Sequence, residues 1–215
     1  MVTIHPDSVR WGRLHVVTDC RPGRDPIPVA HAALAAGAPV VQLRGGAHHT
    51  DRELFDLAMR LVALCREHAA TCLVNDRLDI ALAAGAHGGH LGADDLPVSA
   101  ARRLLPPGAL LGATCRDPQS ARAQQRAGAA YLGVGPAYGT TTKSGLPDPL
   151  GPDGVGRVAE SVGIPVIAIG GVTADTVPDL LAAGAYGVAV VGAVSGAADP
   201  FAATRRLLEV LDAHS

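Results

Sequence analysis

Four stretches of the chain repeat one pattern, in which an alanine-rich apolar run ends at a glycine and passes into a short strand-like run: Ala33–Arg44, Ala81–Gly92, Gln125–Gly135 and Leu181–Val191. Glycine just past a helix adopts the left-handed conformation at little cost, and small or β-branched residues after it suit a strand buried on both faces. Reading between these units predicts strands over 14–18, 39–43, 71–75, 88–91, 109–113, 130–134, 165–169 and 187–191. Helical spacing of apolar residues fills most of the gaps. It is clearest over Thr50–His68, with Leu54, Leu57, Ala58, Leu61 and Leu64 on one stripe, and over Pro200–Ala213, with Leu207, Leu208 and Leu211.

Eight alternating β and α units predict an α/β fold, a TIM (β/α)8 barrel occupying residues 1–215 as a single domain. A doubly wound open sheet is the runner-up. Against it, the residues after the first strand read Thr18-Asp19-Cys20-Arg21-Pro22, without the glycine fingerprint of a dinucleotide site. A hydrophobic content of 48% is ample for a core, and 26 glycines with only 3% aromatic residues imply one built from small and branched aliphatic side chains. The net charge of -2 gives no reason to expect nucleic acid or an anionic membrane surface, so the expected partners are small molecules. Cys20, Cys65, Cys72 and Cys115 include no C-x-x-C pair, which favours buried, reduced thiols and an intracellular setting. The residues around Asp7, Arg10 and Trp11 contain no apolar signal core, and no stretch approaches a membrane span, so a soluble cytoplasmic protein is expected.

In such a barrel the chemistry sits where strands end at their C-terminal side. There the chain places Gln42 and Arg44, then Asn75 and Asp76, then His90 through Asp95, then Thr114, the loop Thr140 to Lys143, Gly170-Gly171, and Val191-Gly192. Lys143 is the sole lysine among 18 Lys and Arg residues, and it closes a loop of glycines and threonines. Hydroxyls with one compact ammonium suit phosphate oxygens. Asp76 and Asp95, from adjacent strands, are candidates to share Mg²⁺, which takes one or two carboxylates together with waters and substrate phosphates. Arg44 and Lys143 would grip phosphate groups from the sides, and the bare glycines would offer amides to a second phosphate. Structural roles compete for the same residues: Asp76, Asp79, Asp94 and Asp95 as helix caps, and Gly170-Gly171 as a tight turn. His48 and His49 read as solvent-facing, His90 as a satisfied core residue, and no third ligand joins His87 and His90 in a zinc site.

These residues resemble thiamine phosphate synthases over nearly the whole chain. The resemblance rests on Val41-Gln42-Leu43-Arg44, Val74-Asn75-Asp76-Arg77, His90-Leu91-Gly92-x-x-Asp95, Gly133-Val134-Gly135-Pro136, Thr140-x-Thr142-Lys143, Ile164 to Gly171 and Gly187 to Val191. It implies an enzyme that joins 4-amino-2-methyl-5-hydroxymethylpyrimidine pyrophosphate to 4-methyl-5-(2-hydroxyethyl)thiazole phosphate, with release of pyrophosphate. By that resemblance Gln42, Arg44 and Asn75 hold the pyrimidine pyrophosphate, Asp76 and Asp95 bind Mg²⁺, and Lys143 contacts the leaving group. Thr140, Thr142 and the backbones of Gly171, Val191 and Gly192 hold the thiazole phosphate. Arg44, Lys143 and Thr114 are the catalytic candidates, the substrates are phosphorylated small molecules, and a homo-oligomer is compatible with the chain.

The chain departs from the family pattern in several places. Gly46 stands where a lysine is usual, with His48, His49 or Arg52 as candidate replacements. Thr114 and Gly192 stand where serines are usual, and Ala93 where a glutamine is common. Three other readings compete. A related thiazole tautomerase uses a histidine where Arg116 stands here and tends to lack the acidic pair. A Schiff-base enzyme would use Lys143 as its nucleophile. A catalytically silent paralogue would bind thiamine intermediates without turnover.

Overall fold

A computed structural model describes residues 12–46, 48–142 and 145–214. Its strands are β1 (Leu14–Val17), β2 (Val40–Leu43), β3 (Thr71–Asn75), β4 (Gly88–Leu91), β5 (Leu110–Cys115), β6 (Tyr131–Val134), β7 (Val166–Ile169) and β8 (Gly187–Val190). All pair in parallel in chain order, and β8 returns to β1, with Val16 opposite Val190, so the barrel is closed. The helices are α1 (Pro26–Ala35), α2 (Asp51–Glu67), α3 (Leu78–Ala84), α4 (Val98–Leu104), α5 (Pro118–Arg126), α6 (Gly151–Ala159), α7 (Val177–Ala182), α8 (Gly192–Ser195) and α9 (Pro200–Ala213). The predicted barrel is thus observed, and each predicted strand lies within a residue or two of its expected bounds.

Local chemistry explains where the helices start. Asp25, Asp117 and Asp199 each accept a backbone N–H at an N-terminus, in every case just before a proline at the first helical position. Thr50 and Glu53 form a capping box that opens α2. The expected cysteine state also holds: all four are buried and free. Among the described residues no helix is long and apolar enough to cross a membrane.

Strand residues alternate between two environments. Val16, Leu111, Leu132, Val134, Val188 and Val190 point outward into one core cluster with the helices, while Val41, Leu43, Cys72 and Val74 do so on the α2 side. Val17, Val40, Leu73, Leu110, Tyr131, Ile167 and Ala189 fill the lumen. The seam between the first and last strands is latched by Arg13, whose guanidinium donates to Tyr186 O at 2.9 Å and to Leu211 O at 2.6 Å.

Two glycines make space for large lumen side chains. A Cβ on Gly112 would fall within the Tyr131 ring, and one on Gly133 would lie 2.9 Å from Cε1 of His90. The phenol therefore lies across the neighbouring β5, and the imidazole reaches past β5 to β6. Gly112→Ala should lower stability by about 1–3 kcal/mol, the usual cost of overpacking, read as a reduced urea midpoint. A midpoint equal to the parent's would mean that Tyr131 does not rest on β5.

Candidate active site

The mouth is organised first by β1, whose end was absent from the polar strand ends singled out in sequence. Thr18 donates its N–H to Gln42 O at 2.9 Å, and its hydroxyl accepts the Arg44 N–H at 2.9 Å. Asp19, with a side chain only 3% exposed, takes the Arg21 fork through two 2.8 Å bonds, and Arg24 lies 3.6 Å away. The Arg21 hydrogen bond holds the Asp19 carboxyl below the usual carboxylate range. Asp19, Arg21, Arg44, Gly46, His48 and Thr142 line a cleft of about 110 Å³. A carboxylate between arginines, directly after an apolar strand, was the available signal.

Gly46 explains itself sterically. A Cβ there would lie 2.7 Å from Cε1 of His48, so the imidazole occupies the space in which a side chain at position 46 would begin. His49 turns back instead, its Nδ1 lying 3.2 Å from the Gly46 amide nitrogen, and so is half-buried. Only His48 of the pair is exposed as expected, and it borders the cleft.

Asn75 and Asp76 lie where β3 ends. Asp76 has φ +61°, a left-handed conformation that aspartate tolerates better than most residues, and it donates its N–H to His90 O at 2.8 Å. Asp95, beyond β4, accepts the Gly92 N–H through Oδ2 at 2.6 Å. The capping positions of α3 and α4 are Arg77 and Pro97, neither of which makes a side-chain cap bond, and Asp76 and Asp95 each stand before them. Asp79 is held instead by the Arg77 guanidinium, at 2.7 Å.

Below the mouth runs a buried polar chain. His90 Nε2 is 3.0 Å from the Thr114 hydroxyl, and His90 Nδ1 is 2.9 Å from the Tyr131 hydroxyl. The His15 ring meets Tyr131 edge-on with centroids 5.2 Å apart. Burial pushes the His90 pKa down to about 4 against the opposing pull of Asp95, and that of His15 down to about 3 with help from His90. His90 is thus a satisfied lumen residue, as expected, yet it touches a candidate catalytic hydroxyl.

The β6–α6 loop closes the other side. The Thr140 hydroxyl donates to that of Thr142 at 3.3 Å, and a Cβ on Gly192 would meet Thr142 Oγ1 at 3.7 Å, which brings the threonines to the end of β8 beside Val191. Gly170 and Gly171 have φ of +94° and +66°, and a Cβ on Gly171 would lie 2.8 Å from Tyr138 Cβ, so the turn there packs directly against the loop. Arg116 donates to Gly135 O at 3.1 Å and to Asp148 O, spanning the two ends of the loop. Lys143 lies outside the described residues.

A family model for thiamine monophosphate synthase matches residues 14–194. The chain belongs to this family. It is 59% identical over 202 residues to a thiamine-phosphate synthase of Salinispora tropica, covering 93% of this chain and 97% of that protein. A thiamine-phosphate synthase of Methanospirillum hungatei is 42% identical over 200 residues, covering 92% and 97%. Among solved structures, thiamine phosphate pyrophosphorylase from Pyrococcus furiosus superposes with a TM-score of 0.86 at 33% identity, over 97% of this chain and 98% of that one. The chain is accordingly an enzyme of the thiamine-phosphate synthase type.

Within this family frame, the geometry gathers Arg44 and Thr142 at one cleft, joins Tyr131 to Thr114 through His90 in the lumen, and sets Asp76 and Asp95 at the ends of adjacent strands. It also fixes the response to acid. Burial holds His15 and His90 neutral down to about pH 3 and 4, whereas an unfolded histidine binds its proton near 6.5, so at these two sites the unfolded state binds more protons as pH falls below about 6.5. Stability should therefore decline from pH 6.5 toward 4.5, at up to about 1.4 kcal/mol per pH unit for each histidine, before carboxylates such as Asp19 contribute. Urea midpoints across that range should show the slope, and His15→Asn should reduce it, leaving the share of His90. An unchanged slope in the variant would assign the effect to other groups.

Proposed function

We propose that the chain forms thiamine phosphate from 4-amino-2-methyl-5-hydroxymethylpyrimidine diphosphate and 4-methyl-5-(2-hydroxyethyl)thiazole phosphate, releasing diphosphate. The observation that carries this reading is the meeting of Arg44, His48 and Thr142 at one cleft in a member of this family. Two anionic substrates need cations and hydroxyls on both sides of a shared mouth, and the β2 and β6 loops supply them. The Arg116 guanidinium, at the position where the tautomerase branch carries a histidine, is committed to two main-chain carbonyls, which favours the synthase over the isomerase.

In this reading the bond between the pyrimidine methylene and the diphosphate oxygen breaks first, and the diphosphate leaves with the electron pair. The thiazole nitrogen then forms the new C–N bond with its lone pair. Such a step depends on neutralising the leaving group and aligning two partners more than on a general base. Arg44 and Lys143 hold the diphosphate, with Gln42 and Asn75 on the pyrimidine partner. Thr140, Thr142 and the amides of Gly171, Val191 and Gly192 hold the thiazole phosphate. Thr114 stands between the two, at the top of the lumen. His48 borders the cleft beside Gly46, the position at which the family pattern has a lysine.

Mg²⁺ fits the acidic pair. Asp95 commits Oδ2 to the Gly92 amide and keeps Oδ1 as its other ligating atom, and Asp76 stands at the end of the adjacent strand. Among the described residues no group of three or more His, Cys, Asp or Glu could hold a metal, so substrate phosphates and water would complete the shell, as Mg²⁺ prefers. When bound there, the ion neutralises charge gathering on the diphosphate. A cytoplasmic setting accompanies this reading.

Incubation of the protein with both substrates and Mg²⁺ should give thiamine phosphate by mass spectrometry, and EDTA should abolish it. Asp76→Ala should lose the metal-dependent turnover, and unchanged activity would remove the metal assignment. Lys143→Ala should lower turnover by orders of magnitude. A loss under about threefold, or ~0.7 kcal/mol, would contradict a role on the leaving group.

A further inference from the structure

We propose that the buried chain from Tyr131 to His90 fixes the Thr114 hydroxyl as a hydrogen-bond donor to the substrate, with His90 as the positioning residue. The proposal rests on the synthase reading for the nature of the substrate, and on the lumen alone for the direction of the protons.

A neutral imidazole carries one N–H and one bare nitrogen, so the two neighbours of His90 are coupled. If Nδ1 accepts from the Tyr131 hydroxyl, then Nε2 carries the proton and donates to Thr114 Oγ1, across the observed 2.9 and 3.0 Å separations. The threonine oxygen then receives its hydrogen bond from below, and its own O–H is released toward the mouth. In the reverse arrangement Thr114 spends its proton on His90 and shows the substrate only lone pairs.

The two hydroxyls differ in strength: a phenol is the more acidic donor and an alcohol oxygen the better acceptor, so the imidazole takes its hydrogen bond from Tyr131 and gives its own proton to Thr114. Gly112 gives the phenol room over β5, and Gly133 gives the imidazole room beside β6, which holds the two rings on these contacts. Thr114, half-buried at the top of the chain, faces substrates that are phosphate esters rich in acceptor oxygens. A donor is the complementary group. This also gives a reason for a side-chain hydroxyl at position 114 that is independent of proton transfer to or from Thr114.

The direct test is a long-range ¹H–¹⁵N correlation spectrum of the full-length protein labelled with [¹⁵N]histidine, without substrate and at about pH 7.5. The His90 signals are identified by their loss in His90→Asn. A proton on Nε2 with Nδ1 bare is expected, and a proton on Nδ1 would overturn the proposal. Tyr131→Phe keeps the ring over Gly112 and removes the donor to Nδ1, so it should abolish the single tautomer. An unchanged tautomer in that variant overturns the role given to Tyr131. In the kinetic arm, Thr114→Val should lower kcat/KM by roughly tenfold to a hundredfold, the worth of a hydrogen bond to a charged acceptor, while Thr114→Ser should keep most of the activity. Tyr131→Phe/Thr114→Val should then lose no more than Thr114→Val alone, because both changes act through one bond. Multiplying losses would overturn the coupling. Failure of the parent protein to make thiamine phosphate would bear on the synthase reading, while the spectrum would still decide the direction of the chain.

Discussion

Every site residue owes its address to closure of a ring of very short strands. Runs of four to six residues cannot hold a register by their own length, so it is imposed by the last pairing, β8 against β1, and by the alternation that sends every second residue inward. With inward positions assigned, Gln42, His90 and Thr114 must meet in the lumen, and residues one or two further along, among them Arg44 and Asp76, must emerge at the mouth. The outward layer then needs only small and branched aliphatic residues, which matches the scarcity of aromatic residues in the chain.

The lumen reverses that economy. Its centre holds two large polar rings, and each is accommodated by another strand that gives up its own side chain, Gly112 under Tyr131 and Gly133 beside His90. Burying an imidazole and a phenol is costly unless their polar atoms are paired, and here the pairing itself forms a path from β6 through β4 to β5. A feature that would otherwise be a weakness of the core thereby reaches the site. The same logic holds at the rim, where the buried Asp19 is tolerated because Arg21 grips both of its oxygens.

Much of this was legible in the chain. The helix Thr50–His68 is bracketed by its observed caps, and Pro200–Ala213 coincides with α9, because both carry a long apolar stripe and a capping side chain. The strand ends were also legible, as alternation brings polar residues to the mouth. Contacts made across the barrel were not. Nothing near Tyr131 in sequence announces that its hydroxyl meets His90 from another strand, or that Gly46 is bare because His48 lies over it. Asp76 likewise suited a helix cap by composition, but its left-handed backbone sets it outside the first turn of α3. Such relations depend on which strands become neighbours, information that no local window contains.

The latch at the seam has a consequence for how the protein is made. Arg13 sits just before the first strand, and the carbonyls it grips, those of Tyr186 and Leu211, leave the ribosome 173 and 198 residues after it. Until they do, β1 has a partner on only one side and its other edge presents unpaired N–H and C=O groups. Synthesis at about 5–20 residues per second leaves that edge open for roughly ten seconds or more. The polar Thr18 and Asp19 at the end of β1 and the charged Arg13 at its start flank the exposed stretch, and such flanking residues are what discourage a nascent strand from pairing with a neighbouring chain.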